Sequence, residues 1–196
     1  MLIDSSSIRH LQIIGLGYLV QEMDTVAPII YEVGELKVRR VYEVSKKEVD
    51  SLIKYLETIA IQTGKQITIE LKKTKRRSKS ITLCPYGKKG RLSLHYGEFY
   101  LLAISVNYSL DILCDDETVA VIRGLLSDLC GINFEIANTF NFLYNLYRKN
   151  RISSSEFVDY FEKMIETKQL NLKIPAKTNK EKAILETLLK FMRRQT

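Results

Sequence analysis

Apolar and polar positions along the chain alternate between a two-residue and a roughly three-and-a-half-residue rhythm. M-L-I-D, residues 1–4, is a short apolar run closed by an acid, which predicts a strand. Ser5, Ser6 and Ser7 supply helix caps, and Ile8, Leu11, Leu16, Leu19 and Val20 fall near helical spacing, so a helix follows, weakened by Gly15 and Gly17. Residues 24–27 predict a second short strand. Pro28 fits the first helical position, and the helix it opens carries Glu32 and Glu35 one turn apart, on a shared face. Ser45 with Glu48 forms a capping box for a helix through about Ile61, stopped by Gly64. Two β-branched, alternating runs, residues 66–71 and 80–84, flank a basic connection and predict a hairpin, after which Pro85, Gly87 and Gly90 mark a loop back to the core. The segment from about 44 to 90 has the character of an insertion.

The second half continues the alternation. A short apolar helix follows Gly97, and residues 110–114 form an apolar run with the look of a buried strand. Residues 118–130 predict an amphipathic helix closed by Gly131, and 132–137 another strand. Asn138 or Thr139 caps a helix bearing Phe140, Leu143, Tyr144 and Tyr147. Ser153, Ser154, Ser155 and Glu156 cap one with Phe157, Tyr160, Phe161, Met164 and Ile165 inward. Pro175 breaks the chain before a terminal helix over 179–194. Strands separated by helices predict an α/β fold, a central parallel sheet with helices on both faces.

Composition narrows this picture little. With 196 residues, 45% hydrophobic and 27% charged, the chain is expected to form one packed domain with an appendage. No apolar run approaches a membrane span, and no signal peptide is visible, so a cytoplasmic protein without membrane contact is expected. Cys84, Cys114 and Cys130 lack metal-type spacing and read as core residues, while a Cys114–Cys130 bridge of the hyperthermophile kind stays open. The net charge of +7 favours a polyanionic partner. Phosphate-binding and nucleophile-elbow motifs are absent, and His10 and His95 fit surface or capping roles.

The candidate chemistry lies in carboxylates. Glu98 opens the apolar helix, and Asp115 and Asp116 stand just past a strand, where ligands of open α/β sheets bind. Acids gathered there repel one another unless a hard divalent cation sits between them. The plain alternative is that Asp115 and Asp116 cap the helix beginning near Glu117. The hairpin supplies a second candidate site. Lys72, Lys73, Lys75, Arg76, Arg77 and Lys79 put six cations in eight residues, either a solvated tip or a ribbon that tracks a phosphate backbone.

Taken in order, the acids resemble those of the PIN-domain nucleases. I-D-S-S-S carries Asp4 at the end of a first strand. A-P-I-I-Y-E-V carries Glu32 on the second helix, with Glu35 competing for its role. G-E-F-Y-L-L-A-I-S carries Glu98, and D-I-L-C-D-D-E carries Asp115 and Asp116. The stretch from I-N-F-E-I-A-N-T-F through R-I-S-S-S-E-F is similar to the family's last strand and closing helices, and the branch with a Gly-Glu pair is the nearest match. The resemblance spans roughly residues 1–42 and 91–170. It implies a PIN-like three-layer sandwich over residues 1–175, with the segment 44–90 inserted and 176–196 as a terminal helix. It further implies a Mg²⁺- or Mn²⁺-dependent endoribonuclease, with the toxin of a toxin–antitoxin pair as one setting for it, and with Asp4, Glu32, Glu98, Asp115 and Asp116 as catalytic acids. All of these but Glu32 would hold the metal. The partners it implies are an RNA or DNA backbone, an antitoxin protein and a second copy in a homodimer. The competing reading is a PIN-like module that binds nucleic acid or protein without cutting.

Overall fold

A computed structural model of the chain describes residues 1–73, 77–84 and 89–166. The terminal helix expected over 179–194 and the breaks at Pro85 and Pro175 lie outside the described residues. Five strands make one parallel sheet: β1 (Leu2–Ile3), β2 (Asp24–Val26), β3 (Arg40–Tyr42), β7 (Ile112–Leu113) and β8 (Ile136–Ala137), in the order β3-β2-β1-β7-β8. They are very short, yet Leu2, Ile3, Ile112 and Leu113 are wholly buried, as expected for parallel strands covered by helices. The expected α/β parallel architecture is present. β3 carries only one apolar residue between Arg40 and Tyr42, so its sequence did not announce a strand; the parallel ladder to β2 makes it one. The strand expected over 132–137 shrinks to its last two residues.

The helices are α1 (Ser5–Ile13), α2 (Ala27–Val33), α3 (Lys46–Thr63), α4 (Tyr96–Tyr108), α5 (Glu117–Cys130), α6 (Thr139–Arg148) and α7 (Ser154–Glu166), with a 3₁₀ helix at Gly17–Glu22. α1 packs with α6 and α7, whereas α4 lies on β1 and β2 and packs with α2 and α3. Three expected details are corrected. The serines after Asp4 sit inside the first turn of α1, and Asp4 itself is the cap. Gly34 leaves the helical region at φ 86° and ends α2 at Val33, so Glu35 is off the helix and shares no face with Glu32. The long helix expected to reach Val20 likewise stops at Ile13, ahead of Gly15 at φ 89°.

Between β3 and α4 the chain builds a second sheet of three strands, β4 (Gln66–Lys73), β5 (Arg77–Leu83) and β6 (Arg91–His95), ordered β5-β4-β6. β4 and β5 form the expected antiparallel hairpin, but its strands are longer than expected. Lys72, Lys73, Arg77 and Lys79 are strand residues, and the connection is 74–76, outside the described residues together with Lys75 and Arg76. β6, unannounced in the sequence reading, runs parallel to β4 and passes directly into α4. Ile67, Ile69 and Leu94 of this sheet join the same apolar core as Leu52, Leu56 and Ile59 of α3. Cys84 is exposed, not a core residue; Cys114 is buried, and all three cysteines are free thiols, so the Cys114–Cys130 bridge is not formed.

At the other edge of the large sheet, Asp24 is 2% exposed and takes two hydrogen bonds from Arg39, Nε to Oδ1 at 2.7 Å and Nη2 to Oδ2 at 2.6 Å. That bidentate pair, with burial opposing it, holds the Asp24 carboxyl below its ordinary range. It closes the amino-terminal edge and takes no part in the acid group opposite.

Candidate functional site

The large sheet reverses its winding between β1 and β7, and the crevice beyond the carboxyl ends of those two strands is where such a sheet offers a ligand site. Asp4, Glu98 and Asp116 each lie at a helix start, whereas Glu32 is the next-to-last residue of α2. The Asp4 amide donates to the Leu113 carbonyl at 3.1 Å, so β1 and β7 end side by side. Asp4 then caps α1: its Oδ1 accepts from the Ser7 amide at 2.8 Å and its Oδ2 from the Ser6 hydroxyl. Glu98 stands at the third position of α4 and accepts from the His95 amide at 2.9 Å. Asp116 caps α5 through Oδ1, accepting from the Thr118 amide at 2.6 Å and the Val119 amide at 3.3 Å. The capping alternative therefore holds for Asp116, and the same geometry applies to Asp4 and Glu98. Positive helix ends favour negative charge, so the starts of α1, α4 and α5 are a place for acids before any metal is invoked.

Glu98 is where the charges of the other acids are felt. Burial pushes the Glu98 carboxyl up to about 7, the charges of Asp116, Asp4 and Glu32 push the same way, and the His95 amide opposes them. Asp4 is also raised, by burial first, against the bonds from Ser6 and Ser7. Cys114, between the strand end and the two aspartates, is buried and its thiol is held in the neutral form by burial and by the charge of Asp4. Glu32 is exposed on α2, close enough to act on Glu98. Gly97 sets that proximity. A Cβ placed on it would stand 3.0 Å from Cγ1 of Ile29 on α2, so only glycine lets α4 approach so closely without displacement.

Asp115 is the exception in the group. Its Oδ2 meets Nδ1 of His10 at 2.6 Å and accepts from the Ser7 hydroxyl at 3.2 Å, while the Thr139 amide and hydroxyl donate to it at 2.7 and 2.5 Å. Burial would raise its pKa, but the bonds from His10 and Thr139 outweigh it and hold the carboxyl below the ordinary range. Asp115 thus ties α1 to the start of α6, and its two oxygens are committed to that task. His10, expected at the surface, is buried, and the partner that explains it lies 105 positions away, beyond any local pattern.

The donor set is all oxygen and suits Mg²⁺ or Mn²⁺. As the side chains stand, no group of three or more His, Cys, Asp or Glu among the described residues is placed to hold a metal ion, since Asp4, Glu98 and Asp116 each face an amide of their own helix start. No helix among the described residues is long and apolar enough to cross a membrane. A scan against family models, a search of curated proteins and a search of solved structures each found no match.

Proposed function

We propose that the protein is a metal-dependent phosphodiesterase of the PIN type that cuts RNA at the carboxyl edge of its large sheet. The single observation that carries this is that Asp116, Asp4 and Glu32, from three separate segments, all act on the buried Glu98 beside the switch point of a β3-β2-β1-β7-β8 sheet. Acids that raise one another's proton affinity are expensive to keep together, and a hard cation relieves the cost. Asp4, Glu98 and Asp116 would hold it, and Glu32 would add charge from the open side. Bound there, Mg²⁺ or Mn²⁺ would lower the pKa of a water and clamp the scissile phosphate. Asp115 is assigned a different role from its neighbour: through His10, Ser7 and Thr139 it holds α1 and α6 against the end of β7. A cytoplasmic setting, an RNA partner and, for the toxin of a pair, an antitoxin protein go with this reading.

The test is cleavage of a labelled RNA with Mn²⁺ by wild type, Glu98→Gln and Asp116→Asn. Both substitutions keep an acceptor for the helix-start amides, so the fold is retained while cleavage and Mn²⁺ affinity, measured by calorimetry, are expected to vanish. Cleavage of equal rate by all three proteins sinks the proposal. A second reading is favoured by one fact, that every one of these three carboxylates is engaged in capping: a domain that binds nucleic acid without cutting it. Wild type that binds no Mn²⁺ would select that reading.

A further inference from the structure

The large sheet ends at β3, whose one strand neighbour among the described residues is β2. Its outer side follows from the ladder. The Asp24 amide donates to the Met1 carbonyl at 3.0 Å, so in β2 the main chain of Asp24 turns to β1 and that of Thr25 to β3. Thr25 is paired with Val41, and in a parallel ladder a residue bonds the two neighbours of its partner, here Arg40 and Tyr42. Val41 therefore turns its amide and carbonyl to the open edge, and the residue is 40% exposed. Edges of this kind are usually guarded by short strands and by cations that face an incoming strand. β3 is short, but its cations are folded back on the chain. Arg39 gives Nε and Nη2 to Asp24, and the Arg40 guanidinium lies over the Tyr42 ring at 4.2 Å. Glu43, which follows, is exposed and meets no hydrogen-bond or ion-pair partner among the described residues. The outer edge of the small sheet differs. β5 carries Arg77 and Lys79 and no acid, so a copy of itself offers its cations nothing.

We propose that β3 is the pairing edge of a homodimer, running antiparallel to β3 of a second copy about a two-fold axis at Val41. Because Val41 turns outward, it must meet a residue that also turns outward, which leaves the registers centred on Arg40, Val41 or Tyr42. Charge selects among them, since side chains directly opposite across two strands are in contact. Centred on Arg40, two guanidiniums face each other. Centred on Tyr42, apolar Val41 faces the carboxylate of the partner's Glu43. Centred on Val41, Arg40 stands opposite the partner's Tyr42 and Arg39 opposite the partner's Glu43, and symmetry makes each contact twice. Arg39 still has Nη1 to donate, and Arg40 comes to lie between two tyrosine rings. Val41 meets its own copy, exchanges both main-chain hydrogen bonds with it and loses its exposure. The run R-R-V-Y-E, residues 39–43, is thus complementary to its own reverse. The two five-stranded sheets become one, with their acid edges pointing in opposite directions, because antiparallel pairing inverts the second copy. A contact of so few residues falls below the roughly 1,000 Å² of a lasting interface, so the dimer is weak and depends on concentration. The pairing does not require the acid edge to be a nuclease site.

The test uses the full chain and has two arms. In the first, the exposed thiol is removed by Cys84→Ser and Val41→Cys is added. At the axis the two Cα atoms would stand about 5.5 Å apart, within reach of a disulfide. Oxidation at high protein concentration is therefore expected to give a covalent dimer on a non-reducing gel, in a yield about tenfold above that of Val121→Cys, a similarly exposed position on α5. In the second arm, sedimentation equilibrium of the wild type is expected to show monomer and dimer in exchange. Glu43→Arg, which sets a cation against Arg39 on both sides of the axis, is expected to weaken the dimer about tenfold, and Glu43→Gln about threefold. Thermal melts of all variants check that the fold is intact. The proposal is overturned if Val41→Cys cross-links no better than Val121→Cys, or if the wild type stays monomeric up to about 1 mM. A dimer that Glu43→Arg leaves unchanged is formed by another surface and overturns it equally.

Discussion

The two sheets solve the same problem in opposite ways. The five-stranded sheet is built from strands of two or three residues, too short to hold together by their ladders alone, and gains its order from helices that bury its central strands. The three-stranded sheet has strands of eight, seven and five residues, a regular ladder, and one face left polar. Charge follows the same division. On the large sheet Asp4, Glu98, Asp115 and Asp116 are held by named donors, and each is shifted by burial or by neighbours where a shift is resolved. On the small sheet the charges sit at long range from their partners, in contact with water. Strand length is thus no guide to where the chemistry lies: burial is.

The contrast is sharpest in packing. Leu113→Ala, in wholly buried β7, is expected to cost about 3–4 kcal/mol by combining lost transfer energy with a cavity, whereas the same change at half-buried Leu92 in β6 costs roughly 1–2. Urea denaturation of both variants measures it, and equal losses would erase the distinction between the sheets. Next in size is Asp115→Asn. Its carboxylate is buried and fully bonded, so the variant should lose on the order of 2–3 kcal/mol at neutral pH. Because the folded pKa is depressed, this contribution is present above the unfolded value near 4 and is lost as pH falls through the folded one. The wild type and variant stability curves should therefore converge in acid, and a constant gap down to low pH would refute the assignment.

Glu98→Gln runs the other way. Its folded pKa of about 7 lies above the unfolded value, so the contribution of this group is fully present below about pH 4.5 and is lost as pH rises through 7. The variant, free of that charge, should be the more stable protein by roughly 2 kcal/mol above pH 7 without metal, a gap that saturating Mn²⁺ should close. Melting both proteins from pH 4 to pH 9 checks the sign. The smallest effect is expected from the identical substitution on the other sheet. Glu70→Gln removes only long, half-exposed contacts and should change stability by less than about 0.5 kcal/mol at any pH between 5 and 9. A pH-dependent change there as large as at Glu98 would show that the small sheet hides a site of its own.

What could be read from the chain divides along the range of the interactions. Ser45 with Glu48, Gly64 and Gly131 act within a turn, and the elements they bound were legible. So was the placing of Asp4 and Asp116 at strand ends, because apolar runs stop where the chain leaves the sheet. β6 was overlooked although R-L-S-L-H alternates correctly; two apolar residues are too few to compete with the glycines on either side. The choice between Asp115 and Asp116 was beyond the sequence. Adjacent residues of one kind differ only in what faces them, and for Asp115 that is His10 and Thr139, from elements distant along the chain. Glu35 was readable as a residue outside the helix, had Gly34 been given its usual weight as a terminator.

The absent side chain of Gly97 has a mechanical meaning. α2 rests on α4 with no slack at that point, Ile29 against bare backbone, so the spacing between two helices is set by a contact and not by a ladder or a salt bridge. Such a contact works as a stop: it fixes how far α2 can close but does nothing to prevent it from lifting. Adding one methyl group, as in Gly97→Ala, would shim the joint by a few tenths of an ångström and carry Glu32 outward from Glu98. The acids would still all be there, but the gap between the one on the outside and those within would have been reset.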